Sequence, residues 1–156
     1  VRTQAKKAKA RAQMRSFEIA AKSYESTYGM TVAATTDVTE SDSANSNYGK
    51  VEAGSDAYKR ILEVLTCVDY PGTGSEVNIN PRNVRFLDVA DKYETQGFKD
   101  PWGKEFVLFF DVSYAGFIKV GSTKVYRNVA LYSFGTNATD NGGAKETGDL
   151  LSWEEF

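Results

Sequence analysis

The sequence predicts an α+β protein in which one long N-terminal α-helix packs on a C-terminal antiparallel β-sheet. Residues 1–28 contain no Gly or Pro and are rich in good helix formers. After residue 104, aromatic and β-branched runs alternate with turn-forming residues, which is typical of short strands. The 156 residues, 41% hydrophobic and 26% charged, are enough for one globular domain with its own core. We divide this domain, residues 1–156, into a long helix (1–28), variable loops with a second helix (29–82), a sheet region (83–134), and an acidic Gly-rich loop with the C-terminus (135–156).

The first element is an amphipathic helix. Its larger apolar side chains recur every three or four residues and therefore share one face. This stripe comprises Ala10, Met14, Phe17, Ala21, Tyr24 and Tyr28. Gly29 follows as a helix terminator. Residues 1–9 are basic and lie outside the stripe, and the sequence leaves open a solvated helix end, part of a longer helix or a membrane-proximal flank.

The middle of the chain predicts loops around a second helix. Residues 31–54 are polar and predict a surface loop with local order near residues 48–51. Ser55 or Asp56 can cap a helix that extends to about Cys67. The residues of this helix that we expect to face the core are Ile61, Leu62 and Leu65. We interpret Cys67 as a small buried hydrophobic residue.

A turn precedes the sheet. Residues 84–89 form a short apolar-rich segment that fits either a strand or a helical turn. The turn directly before the first strand comprises residues 99–104. In it, Asp100 can accept backbone N–H bonds, Gly103 permits a positive φ, and Trp102 can pack into the core.

Three strands are predicted in the sheet region, over residues 105–111, 115–120 and 126–134. Their short connections predict an antiparallel meander. Because they carry more apolar residues than one solvated face requires, we expect one side of the sheet to pack against the long helix.

The absence of histidine and the presence of only one cysteine exclude several kinds of catalytic and metal site. The chain has no histidine, the commonest general base and metal ligand, and its one cysteine excludes an intrachain disulfide and a multi-cysteine zinc site. A net charge of −2 gives no sign of the positively charged surface that nucleic-acid binding requires. No acid–base or nucleophile constellation stands out, so we do not expect an enzyme.

The segment between Phe134 and Leu150 is acidic and Gly-rich. Its oxygen-donor side chains suit a hard cation such as Ca²⁺; they belong to Asn137, Asp140, Glu146 and Asp149. The EF-hand and phosphate-loop spacings are both absent. Composition alone leaves two interpretations open, a calcium site and an ordinary polar loop.

Three motifs in a fixed order carry a family resemblance. Residues 100–103 read Asp-Pro-Trp-Gly before an aromatic strand, as in D-P-W-G-x-x-[FY]. Residues 133–135 read Ser-Phe-Gly, and after a Gly-Gly loop residues 149–153 read Asp-Leu-Leu-Ser-Trp, as in S-x-G…G-G…D-[IL]…W. With the N-terminal helix, this pattern resembles the pseudopilins of the type IV pilin-like superfamily, and is most similar to the major pseudopilin of bacterial type II secretion systems.

The resemblance implies a structural role. Such a subunit assembles with its own copies and with other pseudopilins into a periplasmic filament that supports protein export. The family has a cleaved leader, N-terminal methylation and a hydrophobic helix that anchors the subunit in the inner membrane of a Gram-negative-type bacterium. We expect that Val1 follows such a helix and that the 156 residues are the periplasmic part of a longer protein.

The resemblance also implies a calcium site. Carried over, its ligands are the Phe134 carbonyl, Asn137 and Asp149. Asn137 stands where the family usually has Asp, which removes one charge. The loop is one residue longer, and Asp140 is expected to compensate.

Two alternatives belong beside this interpretation. One is a type IV pilin or a minor pseudopilin, although type IV pilins often carry a C-terminal disulfide that a single cysteine forbids. The other is an exported calcium-dependent binding module, with Tyr and Trp side chains as platforms for a ligand such as carbohydrate.

Overall fold

A long helix and two antiparallel sheets organise the chain in the computed structural model, which describes residues 2–32, 49–71, 80–89, 92–112, 114–120, 123–137 and 149–153. The helices are α1 (Arg2–Tyr28), α2 (Asp56–Thr66) and α3 (Tyr93–Gln96). The strands are β1 (Lys50–Val51), β2 (Val107–Phe110), β3 (Ile118–Val120), β4 (Thr123–Val125), β5 (Val129–Ser133) and β6 (Leu150–Leu151). A 3₁₀ turn, Gly135–Asn137, follows β5. The predicted α+β class is confirmed.

Helix α1 packs through the predicted stripe. Met14, Phe17 and Tyr24 are at most 1% exposed, and the Phe17 ring lies 6.2 Å from that of Phe110 on β2, in an edge-on contact. Residues 2–9 have no buried member, as expected from the end of the stripe before Ala10. The helix ends at Tyr28, where the N–H of Gly29 bonds to a carbonyl of the last turn. Among the described residues, no helix combines the length and apolar content needed to cross a bilayer.

Both faces of the main sheet are covered. Its strand order is β1-β2-β5-β6, with every neighbouring pair antiparallel. Leu108, Phe110 and Leu131 belong to the core cluster that contains α1 and α2 residues. Phe109 and Tyr132 join a second cluster with the β3–β4 hairpin. This double burial explains why the strands carry more apolar residues than one solvated face requires.

The predicted meander is wrong. Strand β2 pairs directly with β5, from Val107↔Tyr132 to Phe110↔Val129. The predicted middle strand instead pairs with β4 in a separate two-stranded sheet. The β3–β4 hairpin is therefore inserted between β2 and β5 in the sequence, and it covers one face of their sheet.

Helix α2 begins and ends as predicted, but the residue at its end is not buried. The Ser55 Oγ accepts the N–H of Tyr58 at 3.3 Å, so Ser55 is the N-cap. Cys67 closes the helix in the left-handed conformation, with φ of 58°, and its side chain is exposed. The buried interpretation of Cys67 is therefore wrong, because the αL cap turns the residue off the apolar face of the helix.

Three local predictions have mixed outcomes. Order near residues 48–51 is confirmed by β1, a two-residue edge strand. Residues 84–89 form neither a strand nor a helix; the N–H groups of Phe86 and Leu87 bond instead to the carbonyl of Leu65 at the end of α2. Trp102 is only half-buried and joins neither core cluster.

Candidate metal centre

The ends of β5 and β6 bring two of the predicted metal ligands together. The strands pair Tyr132 with Leu151 and Ser133 with Leu150. Continuing that register by one residue places Phe134 opposite Asp149. Facing residues in an antiparallel pair have Cα atoms about 4.5–5.5 Å apart, so the Phe134 carbonyl and the Asp149 carboxylate belong to one small region.

Ser152 fastens this end of the sheet. Its N–H donates to the carbonyl of Leu131, and its hydroxyl accepts the N–H of the same residue, both at 2.9 Å. The Leu151 side chain is buried in the second core cluster. These contacts anchor the chain directly after Asp149, so the far end of the loop is held against β5.

Asp149 is a buried acid. Only 1% of its surface is exposed. A carboxylate loses its hydration on burial and needs hydrogen bonds, a counter-charge or a metal ion in return. Phe134, the residue that the continued register places opposite it, is half-buried.

The other predicted ligands are not placed. The backbone of Asn137 ends the 3₁₀ turn directly after Phe134, but its side chain, Asp140 and Glu146 lie outside what the structure describes. Within the described ranges, no group of three or more Cys, Asp and Glu residues could hold a metal ion. The complete ligand set therefore stays a prediction.

The donors that are placed fit a hard cation. A peptide carbonyl and a carboxylate supply only oxygen atoms, which Ca²⁺ prefers in sets of six to eight. Gly135 has a φ of +69°, a conformation that side-chain-bearing residues rarely adopt. This glycine lets the chain turn directly after the Phe134 carbonyl.

A hydrogen-bonded turn at residues 100–104 lies next to the end of β5. One carboxylate oxygen of Asp100, Oδ1, accepts the N–H groups of Trp102 at 3.0 Å and Lys104 at 2.9 Å. Gly103 has a φ of +88°. Both features of this turn were predicted from the sequence and are confirmed.

The second oxygen of Asp100 was not assigned a role from the sequence. Its Oδ2 accepts the hydroxyl of Ser133 at 2.7 Å, and the Ser133 Oγ accepts the N–H of Gly135 at 3.1 Å. Asp100 is 5% exposed and Ser133 is fully buried. The available sequence signal was that both residues are short, polar and next to apolar strands. The turn at residues 100–103 and the start of the loop at 133–135 are thus one hydrogen-bonded unit.

A cluster of tyrosines forms a separate buried polar group. The ring of Tyr70 lies 6.1 Å from that of Tyr58 and 5.8 Å from that of Tyr93. Burial raises the pKa of all three phenols, that of Tyr93 to about 12. For Tyr70, the nearby Glu105 carboxylate raises the pKa further. The Tyr58 hydroxyl donates to the Phe98 carbonyl at 2.6 Å, so this cluster joins α2 to the segment before β2.

A cleft of about 460 Å³ lies between α1 and the segment that leads to β2. Lys9, Lys92 and Lys99 lie around it, together with Asp88. Gln13 crosses it, since its Nε2 donates to the Lys99 carbonyl at 2.8 Å. Surface lysines beside an acid do not define a ligand, and the cleft takes no part in the metal centre.

Comparisons with known proteins find no match for this chain among protein-family models, curated proteins or solved structures.

Proposed function

We propose that the chain is a structural subunit of a type II secretion pseudopilus. Its copies assemble with one another and with other pseudopilins into a periplasmic filament that supports protein export. The observation that carries this proposal is the manner in which α1 is held. One side of the helix docks on the rest of the domain, while residues 2–9 have no buried member and the opposite side has exposed residues such as Arg15, Ile19 and Lys22.

The exposed surface of α1 includes an apolar side chain. Ile19 is 60% exposed, although it lies between the buried residues Glu18 and Ala20. Exposed apolar residues on a helix are natural contact points for a second helix. A filament built by helix packing would use this face.

The motifs support the proposal through their geometry. The Asp-Pro-Trp-Gly turn and the Ser-Phe-Gly segment lie 33 residues apart along the chain when measured from Asp100 to Ser133, and these two residues share a hydrogen bond. Two motifs that make one contact form a more specific resemblance than two unrelated short matches.

We further propose that the loop after β5 binds Ca²⁺ through the Phe134 carbonyl, Asn137, Asp140 and Asp149. A bound cation would hold an acidic segment that has little apolar surface to bury. The ordered loop would then present a fixed contact surface to a neighbouring subunit. The proposed location is the periplasmic side of the inner membrane.

The function is tested by deleting the gene in its source bacterium. We expect export of type II secretion substrates to stop and to return when the full-length gene is restored. Overproduction should yield filaments that contain the protein, and the abundance of the subunit in them distinguishes a major from a minor pseudopilin. Unchanged export together with the absence of filaments would contradict the proposal.

A second candidate function has one observation in its favour. The Tyr126 side chain on the hairpin is 77% exposed, and its ring lies 6.3 Å from that of Phe117. The Lys124 Nζ sits 4.6 Å above the Phe117 ring. Such an aromatic platform suits an exported calcium-dependent binding module. Saturable binding to a glycan array that needs Ca²⁺ and disappears in Tyr126→Ala would favour this function.

A further inference from the structure

We propose that Asp100 is a positioning residue for the metal centre. It acts through Ser133 on the orientation of the Phe134 carbonyl. This inference rests on the calcium site of the proposed function and adds to it a residue 33 positions away from Ser133 in the chain. Three links connect the Asp100 carboxylate to the Phe134 carbonyl, through the Ser133 hydroxyl and the Gly135 N–H.

The first link fixes the hydroxyl of Ser133. The Asp100 carboxylate is itself held in place, because Oδ1 accepts two N–H groups of its own turn. Its Oδ2 lies 2.7 Å from the Ser133 Oγ. A carboxylate only accepts hydrogen bonds, so the Ser133 proton must point toward Asp100.

The second link follows from this direction. With its proton directed to Asp100, the Ser133 Oγ presents its lone pairs to other donors. The N–H of Gly135 takes this position at a distance of 3.1 Å. The Gly135 N–H therefore has a fixed direction as long as the Ser133 rotamer holds.

The third link lies within one peptide group. The N–H of Gly135 and the C=O of Phe134 belong to the same planar trans peptide, and in such a group they point in opposite directions. Holding the N–H toward Ser133 directs the Phe134 carbonyl away from Ser133. This carbonyl is the backbone ligand of the proposed calcium site.

Burial protects the hydrogen bonds between Asp100, Ser133 and Gly135 from water. Asp100 is 5% exposed, Ser133 is fully buried and Gly135 is also buried. Water therefore has little access to replace a broken link. Leaving a buried acceptor without its donor is unfavourable, which keeps the three groups together in the folded state.

The test removes the central link. Ser133→Ala eliminates the hydroxyl and leaves the two strands paired. We expect the Ca²⁺ affinity, measured by competition with a chromophoric chelator, to fall roughly 10–100-fold, the usual effect of losing an outer support of a metal ligand. Asp100→Asn should also weaken binding, because the amide presents a donor where Oδ2 accepts.

Thr66→Val is the matched control. Thr66 is also fully buried, and its hydroxyl donates to the Leu62 carbonyl at 2.7 Å within α2. The variant loses this bond and the one that the Val68 N–H donates to the same hydroxyl, so it removes a buried donor and acceptor away from β5. We expect it to destabilise the fold and to keep the Ca²⁺ affinity of the unmodified protein. An equal loss of affinity in Thr66→Val and Ser133→Ala would reduce the effect to general stability and overturn the proposal.

Amide hydrogen exchange gives a reading that does not depend on metal. In the calcium-free protein, the Gly135 amide should exchange slowly, and it should exchange faster in Ser133→Ala at matched global stability. Equal exchange rates would overturn the proposal whatever the metal does. If the unmodified protein binds no Ca²⁺, both the site and this role are wrong. If Ser133→Ala binds Ca²⁺ as tightly as the unmodified protein, only the positioning role is wrong.

Discussion

Asp149 joins two properties that a loop acid rarely has together, nearly complete burial and a position directly before a paired strand. A short acidic side chain at the edge of a polar loop would ordinarily stay in water. Here the anchoring of β6 on β5 draws it inward, next to the backbone of Phe134. This position makes Asp149 the side chain on which the calcium proposal is most directly tested.

We predict that Asp149→Asn abolishes calcium binding. Calorimetric titration of the chelator-treated unmodified protein should show a saturable heat, and its melting temperature should rise with Ca²⁺. At a concentration 100 times the Kd, the bound ion stabilises the fold by about 2.7 kcal/mol. Asp88→Asn removes the same charge from an exposed position and should retain both responses. A melting shift of equal size in Asp149→Asn would contradict the assignment.

The buried tyrosines predict how stability depends on pH. Tyr93 has a pKa of about 12 in the folded protein because burial disfavours the charged phenolate, against about 10 in an unfolded chain. The folded state therefore keeps a proton that the unfolded state releases. The resulting stability is fully present below pH 10 and is lost as the pH rises toward 12.

We predict that Tyr93→Phe flattens this alkaline loss. Between pH 10 and 12, the free energy of unfolding should fall less steeply than in the unmodified protein, by about 1.4 kcal/mol per pH unit for the one proton removed. Urea unfolding at each pH measures the slope. The same measurement at pH 7 gives the cost of the substitution itself, which is independent of that proton. Identical slopes for the two proteins would contradict the prediction.

Short-range signals made part of the metal centre predictable from the sequence. The bonds from Asp100 to its own turn and the positive φ of Gly103 follow from residue types within a few positions. The bond from Asp100 to Ser133 depends on how β5 packs against that turn, which no local pattern encodes. For the same reason, the Asp100–Ser133 hydrogen bond could not be predicted from the sequence.

At the scale of elements, hydrophobic periodicity predicted properties of single segments, such as which face of a helix is buried. The stripe of α1 was correct because the 3.6-residue repeat is a property of one segment. The meander was wrong because pairing joins separate segments. Strand β2 bonds to β5 across an intervening hairpin. The two-residue strands β1 and β6 are too short to show alternation, so only their partners reveal them.

The end of α2 shows a residue in a conformation that its type disfavours. Cys67 has a φ of 58°, and the left-handed region costs an L-residue about 1–2 kcal/mol. Glycine is the usual residue at such a helix end. The Cys67 sulfur also makes contacts, since Sγ lies 3.4 Å from the Val84 carbonyl oxygen and 3.2 Å from Nδ2 of Asn80.

We predict that Cys67→Gly is more stable than Cys67→Ala. Both variants lose the sulfur contacts, and only the alanine variant keeps the strained side-chain-bearing backbone. After the larger chain entropy of unfolded glycine is subtracted, the difference should be about 0.5–1 kcal/mol. Urea unfolding of the pair at pH 7 measures it. Equal stability of the two variants would mean that the helix end carries no such strain.

At the scale of the whole molecule, opposite charges gather at the two ends of the sequence. Residues 1–15 contain six bases and no acid, while residues 137–156 contain five acids and one base. The net charge of −2 conceals this division. Lys6 and Lys9 are exposed on the part of α1 that has no buried residue, so their charges are available to another molecule. In the proposed filament, this basic helix face would meet the acidic end of a neighbouring copy.

We predict that reversing this charge blocks assembly and spares the fold. The triple variant Lys6→Glu, Lys7→Glu and Lys9→Glu should melt within a few degrees of the unmodified domain. Lys6 and Lys9 are exposed and Lys7 is half-buried, and substitutions at such surface positions usually change stability by less than about 0.5 kcal/mol each. In the full-length protein it should reduce filament formation severely, as seen by electron microscopy and by shearing of filaments from cells.

A control with Lys92→Glu, Lys99→Glu and Lys104→Glu changes the net charge equally at three exposed lysines outside α1. If total charge alone governed assembly, both triple variants would fail alike. Normal filaments from the α1 variant would rule out this contact, and loss only in that variant would place the basic helix face at the subunit interface.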